Sequence, residues 1–142
     1  MAYKTEAARC AAEIRKALKA KGIKASVKSD NYSMGDSVRV KIKEVINPKV
    51  MEQIKEEFAI YQYGNFNGME DIYEYTNCIK EIPQTKYLFI EYDYGVSDEF
   101  VEKAKEIVTQ RVSDTFDEYE IKREARSVLF GKCAFVKFEE VA

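Results

Sequence analysis

The period of the apolar residues switches early in this chain, and the switch limits what it can fold into. Ala8, Ala11, Ala12, Ile14, Ala17 and Leu18 recur at helical spacing, with Arg15, Lys16, Lys19 and Lys21 largely outside that stripe. From Ile23 the spacing drops to two. Ile23, Ala25 and Val27 alternate with Lys24, Ser26 and Lys28, and Val38, Val40 and Ile42 alternate with Arg39, Lys41 and Lys43. The pattern predicts a helix from an N-cap at Thr5 to about Lys21, stopped by Gly22, and then a hairpin of two half-buried strands.

Further on, Asn47-Pro48 reads as an N-cap with proline at the first helical position, and Val50, Met51, Ile54 and Phe58 give that helix one apolar face. It is expected to end near Gly64. The run Gly64-Asn65-Phe66-Asn67-Gly68 reads as a loop, Ile72 to Tyr75 as a short strand and Tyr87 to Tyr94 as a strong strand. Ser97 with Asp98 and Glu99 opens a third helix through Phe100, Val101, Ala104, Ile107, Val108 and Val112. Arg126 to Glu139 reads as strand again, bent or folded at Gly131-Lys132, with Val128, Phe130, Ala134, Val136 and Phe138 for the core. Residues 38–58 also resemble residues 88–108 at an offset of fifty, with Val38, Val40 and Ile42 matching Leu88, Ile90 and Tyr92. Two readings stand: a structural repeat, or the likeness that periodicity imposes on any strand-turn-helix pair. Either gives an α+β fold, a mainly antiparallel sheet with about three helices packed on one face.

A length of 142 residues with 46% hydrophobic content suits a single domain spanning 1–142. The 23 basic and 25 acidic residues nearly cancel, so bulk charge favours neither a phosphate-gripping protein nor a phosphate mimic. No run approaches the roughly 18 apolar residues of a membrane span, and Met1 to Arg9 carries no apolar leader, so a cytoplasmic protein with no membrane role is expected. Cys10, Cys78 and Cys133 are odd in number and far apart; they suit buried hydrophobes in a reducing compartment, with no metal or cofactor expected. The chain has no histidine, which excludes Ser-His-Asp and Cys-His nucleophile pairs and histidine metal sites.

Two segments stand out. Ser29 to Ser37 is longer than a minimal hairpin turn requires; either it is self-satisfied, with Tyr32 or Met34 folded onto the core, or it presents Tyr32, Met34 and Asp36 to a partner. Phe66 to Tyr75 combines a turn, acidic and amide groups and aromatics; either Phe66 and Tyr73 anchor the turn, or Phe66, Met69, Tyr73 and Tyr75 form a contact surface. Neither segment has the oxygen spacing of a calcium loop or the glycines of a phosphate loop.

The strings Ser-Asp-x-Tyr-Ser-Met-Gly-Asp-Ser-Val-Arg-Val at 29–40 and Phe-x-Gly-Met-x-Asp-x-Tyr-Glu-Tyr at 66–75, preceded by the helix at 6–21, resemble a large polyvalent-protein-associated domain, number twenty-nine in that series, over about residues 6–75. The resemblance implies a phage or plasmid protein of a bacterium and brings no catalytic residues with it. On that basis the expected function is a non-enzymatic protein-interaction module, an inhibitor of host defence of the anti-CRISPR or anti-restriction type, whose partner is a host defence protein. Ten tyrosines support a protein interface, although many of them must fill strand positions and core edges. The alternative is nucleic-acid binding through the locally basic first helix and strand, with Arg15, Lys16, Lys19, Lys24 and Lys28 as contacts. A carboxylate enzyme using Glu91 with Asp93, or Asp71 with Glu74, is the weakest reading, because strand alternation leaves Glu91 and Asp93 on the solvent face. An open edge on the strand at 87–94 or on the last strand would also allow a homodimer.

Overall fold

A computed structural model describes residues 5–142; the part of the N-terminal reading that falls on Met1 to Lys4 lies outside them. Helix α1 runs Glu6–Ala20, and the Thr5 hydroxyl accepts the Ala8 N–H at 3.2 Å, as an N-cap does. Gly22, at φ +73°, ends it: the Gly22 N–H reaches Lys19 O and the Ile23 N–H reaches Leu18 O, both at 3.0 Å. These are the two bonds of a Schellman motif, which needs a left-handed residue between them.

Strand β1 covers Ala25–Tyr32 and β2 covers Gly35–Ile42, paired antiparallel from Ala25↔Ile42 to Tyr32↔Gly35. This corrects the expectation of a long loop at 29–37. Both strands run to the tip, and only Ser33 and Met34 turn. The polar residues that looked like loop sequence are strand residues of a protruding hairpin, half of them exposed because the ladder outruns the core there. Where the core is present, Val27, Val38, Val40 and Ile42 are buried together with Ala7, Cys10, Ala11, Ile14 and Leu18 of α1, which packs against both strands.

Pro48–Phe58 forms α2, capped by Asn47, whose side-chain oxygen accepts the Lys49 N–H at 2.9 Å. It stops at Phe58 and not near Gly64; a 3₁₀ turn over Ala59–Tyr61 follows. Strands β3 (Asn65–Asn67) and β4 (Ile72–Glu74) make a small antiparallel hairpin, so the Gly/Asn-rich run read as a loop supplies a strand. Strand β5 (Tyr87–Tyr92) then joins β2 in parallel, giving the order β1-β2-β5. Its register is Val38↔Leu88, Val40↔Ile90 and Ile42↔Tyr92. The strand part of the fifty-residue likeness therefore coincides with the pairing register: residues 38–42 lie beside residues 88–92, whereas the rest of the two segments is not paired.

Helix α3 covers Asp98–Arg111, α4 Glu118–Leu129 and α5 Phe138–Val141, and α3 packs with both of the others. The strand expected over Arg126–Glu139 is overturned. Ile121, Ala125, Val128 and Leu129 form a helical stripe that competes with the period-two pattern, and Asp117 caps α4 by accepting the Glu120 N–H at 2.8 Å. Gly131, at φ +71°, closes it with a second Schellman pair. The fold class is α+β with mainly antiparallel pairing, as expected. Two compact units make up the chain: residues 1–43 with 54–93, and residues 44–53 with 94–142. Among the described residues no helix is long and apolar enough to cross a membrane.

Candidate functional site

The first unit carries both segments singled out above, and Lys86 joins them. Its backbone N–H donates to Asp36 Oδ1 at 2.8 Å and its ammonium to Met34 O at 3.0 Å, while its own carbonyl accepts the Tyr73 hydroxyl at 2.6 Å. The same ammonium lies 4.9 Å from the Tyr73 ring centroid and 5.7 Å from that of Tyr87. One lysine thus ties the β1–β2 turn to the β3–β4 hairpin. Gly35 is required for this approach: at φ +149°, a Cβ there would meet Lys86 Cδ at 2.6 Å.

Asp36 is half-buried and faces inward, its Oδ1 also accepting from the hydroxyl of fully buried Thr85 at 3.0 Å. Its part in the site is therefore to hold the turn. Tyr32, 45% exposed, donates to Asp36 O at 3.2 Å, and Met34 projects from the turn at 81% exposure.

In the second hairpin, Asn67 Oδ1 accepts the N–H groups of Met69 at 3.0 Å and Glu70 at 3.3 Å, and Asn67 Nδ2 donates to Glu74 at 3.0 Å. The turn is thus fixed by its own side chain, and Met69 leaves it 99% exposed. Phe66 and Tyr75 are exposed as well, whereas Tyr73 is half-buried, at the centre of an aromatic group. Tyr73 meets Tyr63, Tyr75 and Tyr87 edge-on, and Tyr75 stacks on Tyr63 at 5.5 Å. Burial pushes Tyr73 and Tyr63 up to about 12, aided at Tyr73 by the phenols of Tyr63 and Tyr87 and at Tyr63 by the Asp36 carboxylate. Both stay neutral at physiological pH and serve as stacking surfaces, and Tyr73 is also a donor, to Lys86 O. Among the chain's tyrosines, Tyr75, Tyr94 and Tyr119 are exposed, and Tyr61, Tyr63, Tyr73 and Tyr92 are half-buried.

Arg15, Lys19, Lys24 and Lys43 line a groove of about 570 Å³ floored by Leu18, Ile23, Ala25 and Val27. Lys16 and Lys28 do not line it; Lys28 sits across the β1–β2 ladder from Arg39. Three of the carboxylates weighed as acid-base pairs are engaged, Glu74 by Asn67 Nδ2 at 3.0 Å. Glu91 receives Lys41 at 2.7 Å and Arg39 at 3.1 Å, which hold its carboxyl below the usual range, and Asp93 faces Lys43 at 3.9 Å. Of the cysteines, Cys10 is buried, Cys133 half-buried and Cys78 exposed, so the expectation of buried thiols fails at Cys78.

Lys86, Gln84 and Thr85 are the site residues that sequence reasoning passed over. Gln84 and Thr85 are buried polar residues in a segment without periodicity. Gln84 Nε2 donates to Ile60 O at 2.6 Å and Asn77 O at 2.8 Å, pinning the approach to β5. No apolar pattern marks such residues, and only the proline at 83 hints that the segment is fixed.

A helix-backed sheet whose two hairpins are braced by polar contacts and expose methionine and aromatic side chains defines an α+β domain with a turn-built apolar surface. The model of the family described as large polyvalent protein associated domain 29 matches residues 5–100. The chain belongs to that family, one of phage- and plasmid-associated proteins. The match extends past the two motifs that first carried the resemblance, through β5 and into the first turn of α3. No curated protein and no solved structure gives a match.

Proposed function

We propose that this protein is a non-enzymatic protein-interaction module of a bacterial mobile element, acting in the host cytoplasm as an inhibitor of a defence component of the anti-CRISPR or anti-restriction type. The observation that carries the protein-binding reading is the pair of braced turns exposing Met34 at 81% and Met69 at 99%. Exposed apolar side chains on backbone already fixed by Lys86 and Asn67 contact a partner without the entropy cost of ordering a loop. Methionine suits this role because its unbranched, polarisable chain adapts to the surface it meets. The step to host defence rests on the phage and plasmid association of the family.

The test is affinity capture of the tagged protein from host lysate, nuclease-treated, at two salt concentrations, with the Met34→Ser/Met69→Ser double variant alongside. Recovery of one defence protein by wild type, lost in a variant of unchanged melting temperature, supports the reading. Equal recovery by both forms removes these turns from the interface.

A second reading, nucleic-acid binding, is favoured by one observation: the groove formed by Arg15, Lys19, Lys24 and Lys43 has no carboxylate in its lining. Fluorescence anisotropy with DNA and RNA across a salt series tests it. Each phosphate contact should add about 0.9 to the slope of log affinity against log salt for duplex DNA. Binding without that slope argues against phosphate recognition.

A further inference from the structure

The three-stranded sheet has two edges, and the structure treats them differently. On β1 the Arg15 guanidinium donates to Val27 O at 2.7 Å, so a charged side chain occupies the outward carbonyl, and Lys24 lies in the same groove. Edges blocked in this way do not take another strand.

The β5 edge is built otherwise. The Asp93 N–H reaches Ile42 O at 2.8 Å, and the parallel register then sets Tyr87, Phe89 and Glu91 bonding to β2. Leu88 and Ile90 turn their backbone groups outward. At the start of this edge the chain supplies its own neighbour for a single rung: Thr85 N–H donates to Tyr61 O at 2.8 Å and Tyr63 N–H to Thr85 O at 3.1 Å, a parallel bridge between Gln62 and Thr85. Three residues further, at Leu88, a side chain stands in for that neighbour. Gln62 Oε1 accepts the Leu88 N–H at 2.8 Å, and its Nε2 is held by Gly64 O at 2.7 Å. Beyond Leu88 the main chain has moved away, and a groove of about 550 Å³ lies beside residues 88–91, walled by Lys55, Ala59, Gln62, Asn65 and Asn77. Among the described residues no strand pairs with this edge past Thr85. The sheet is one strand short at the place where a groove waits.

We propose that the open edge of β5 receives an extended segment of the partner protein as an added strand, a proposal that rests on the protein-binding reading above and names how the partner is held. The occupant is polypeptide because, past the engaged Leu88 N–H, the edge offers the Leu88 carbonyl and then the Ile90 N–H and carbonyl, a run of acceptor and donor that an extended main chain matches and a nucleic-acid backbone does not. Residues 88–91 match about four residues of extended chain, at roughly 3.3 Å each. The amides of Gln62, Asn65 and Asn77, with Lys55 and Glu91, favour polar side chains on the segment's groove side.

The probe is a phage-displayed library of short random peptides selected on the whole protein. Selected peptides should slow hydrogen exchange at the Ile90 amide at least about tenfold. N-methylation at alternate peptide residues should abolish binding, while methylation of the intervening residues leaves it intact. Ala59→Trp, at an exposed position lining the groove, should lower affinity at least about tenfold, or about 1.4 kcal/mol. Should that variant fail to fold, the N-methyl series on the unaltered protein decides alone. Three results overturn the proposal: no selected peptide, selected peptides that leave Ile90 exchange unchanged, or peptide-free protection of Ile90 that rises with protein concentration, which would assign the edge to a second copy. Loss of capture in the Met34/Met69 variant together with any of these would keep the interaction reading and discard only the added strand.

Discussion

At the scale of single residues, the side chains that hold the surface and those that form it are different ones, and substitution should separate them. Asp36→Ala leaves the Lys86 N–H without its acceptor and the buried Thr85 hydroxyl with only the longer contact to Tyr87 O at 3.5 Å, so a loss of about 1–3 kcal/mol in urea unfolding is expected. Met69→Ser, at a fully exposed turn, should change stability by less than about 0.5 kcal/mol. Sequence pattern named both residues but could not sort them, because the donors to a carboxylate are set by chain segments some fifty residues away. Lys86 shows the same limit: among polar neighbours it reads as a solvated lysine, and only the tertiary fold makes it a brace. In the second unit, Arg111 binds Glu140 with two nitrogens, each 2.9 Å from an oxygen, and this hydrogen-bonded charge pair holds the Glu140 carboxyl at about 2 against an ordinary 4.5. Since the folded value lies below the unfolded one, the stabilisation is complete above pH 4.5 and lost as pH falls towards 2. Wild-type melting temperature should therefore fall more steeply than that of Glu140→Gln across this window; parallel curves would remove the pair from the acid response.

At the scale of elements, caps and glycines carried most of the legible information. Thr5, Gly22, Asn47 and the Ser97-Asp98-Glu99 opening mark helix ends that the fold reproduces, since these signals act within one turn. Two elements escaped. Strand β3 hides in a Gly/Asn run because what fixes it is contact made in the fold: Asn67 bonds Glu74 across the hairpin, and the hairpin leans on the packing of Tyr63, Tyr73 and Tyr87. Helix α4 has no counterpart in the sequence reading up to Ala125, and its last turn reads as strand because Val128, Phe130, Ala134, Val136 and Phe138 alternate by two across its end, which outweighs the upstream stripe from Ile121. Gly64 tests the account of β3. A Cβ there would collide with Glu74 O and stand 2.5 Å from Tyr73 Cε1, so Gly64→Ala should detach the β3–β4 hairpin. The expected readout is faster proteolysis within residues 65–75, with far-ultraviolet helix signal retained; unchanged cleavage would refute the packing account.

For the molecule as a whole, the likeness at offset fifty was visible in the sequence, but its meaning was not. Periodicity can match two segments, yet only the structure shows that the strand part of the match is the register of β2 on β5. That register also separates local from distant pairing. The β1–β2 hairpin closes through a two-residue turn, whereas β5 pairs across fifty residues. Val27→Ala should accordingly slow refolding, and Ile90→Ala should chiefly speed unfolding, when both are followed by stopped-flow fluorescence of the tyrosines. Equal effects on both rates would mean that β5 docks within the folding nucleus.

The same fifty-residue separation matters on the ribosome. At about 5–20 residues per second, β2 is synthesised roughly 3–10 s before β5, and during that time its apolar Val38-Val40-Ile42 edge has β1 on one side and nothing of its own on the other. The nascent hairpin is most exposed to mispairing in that interval, so variants that slow translation between Lys43 and Lys86 should lower soluble yield without altering the finished protein.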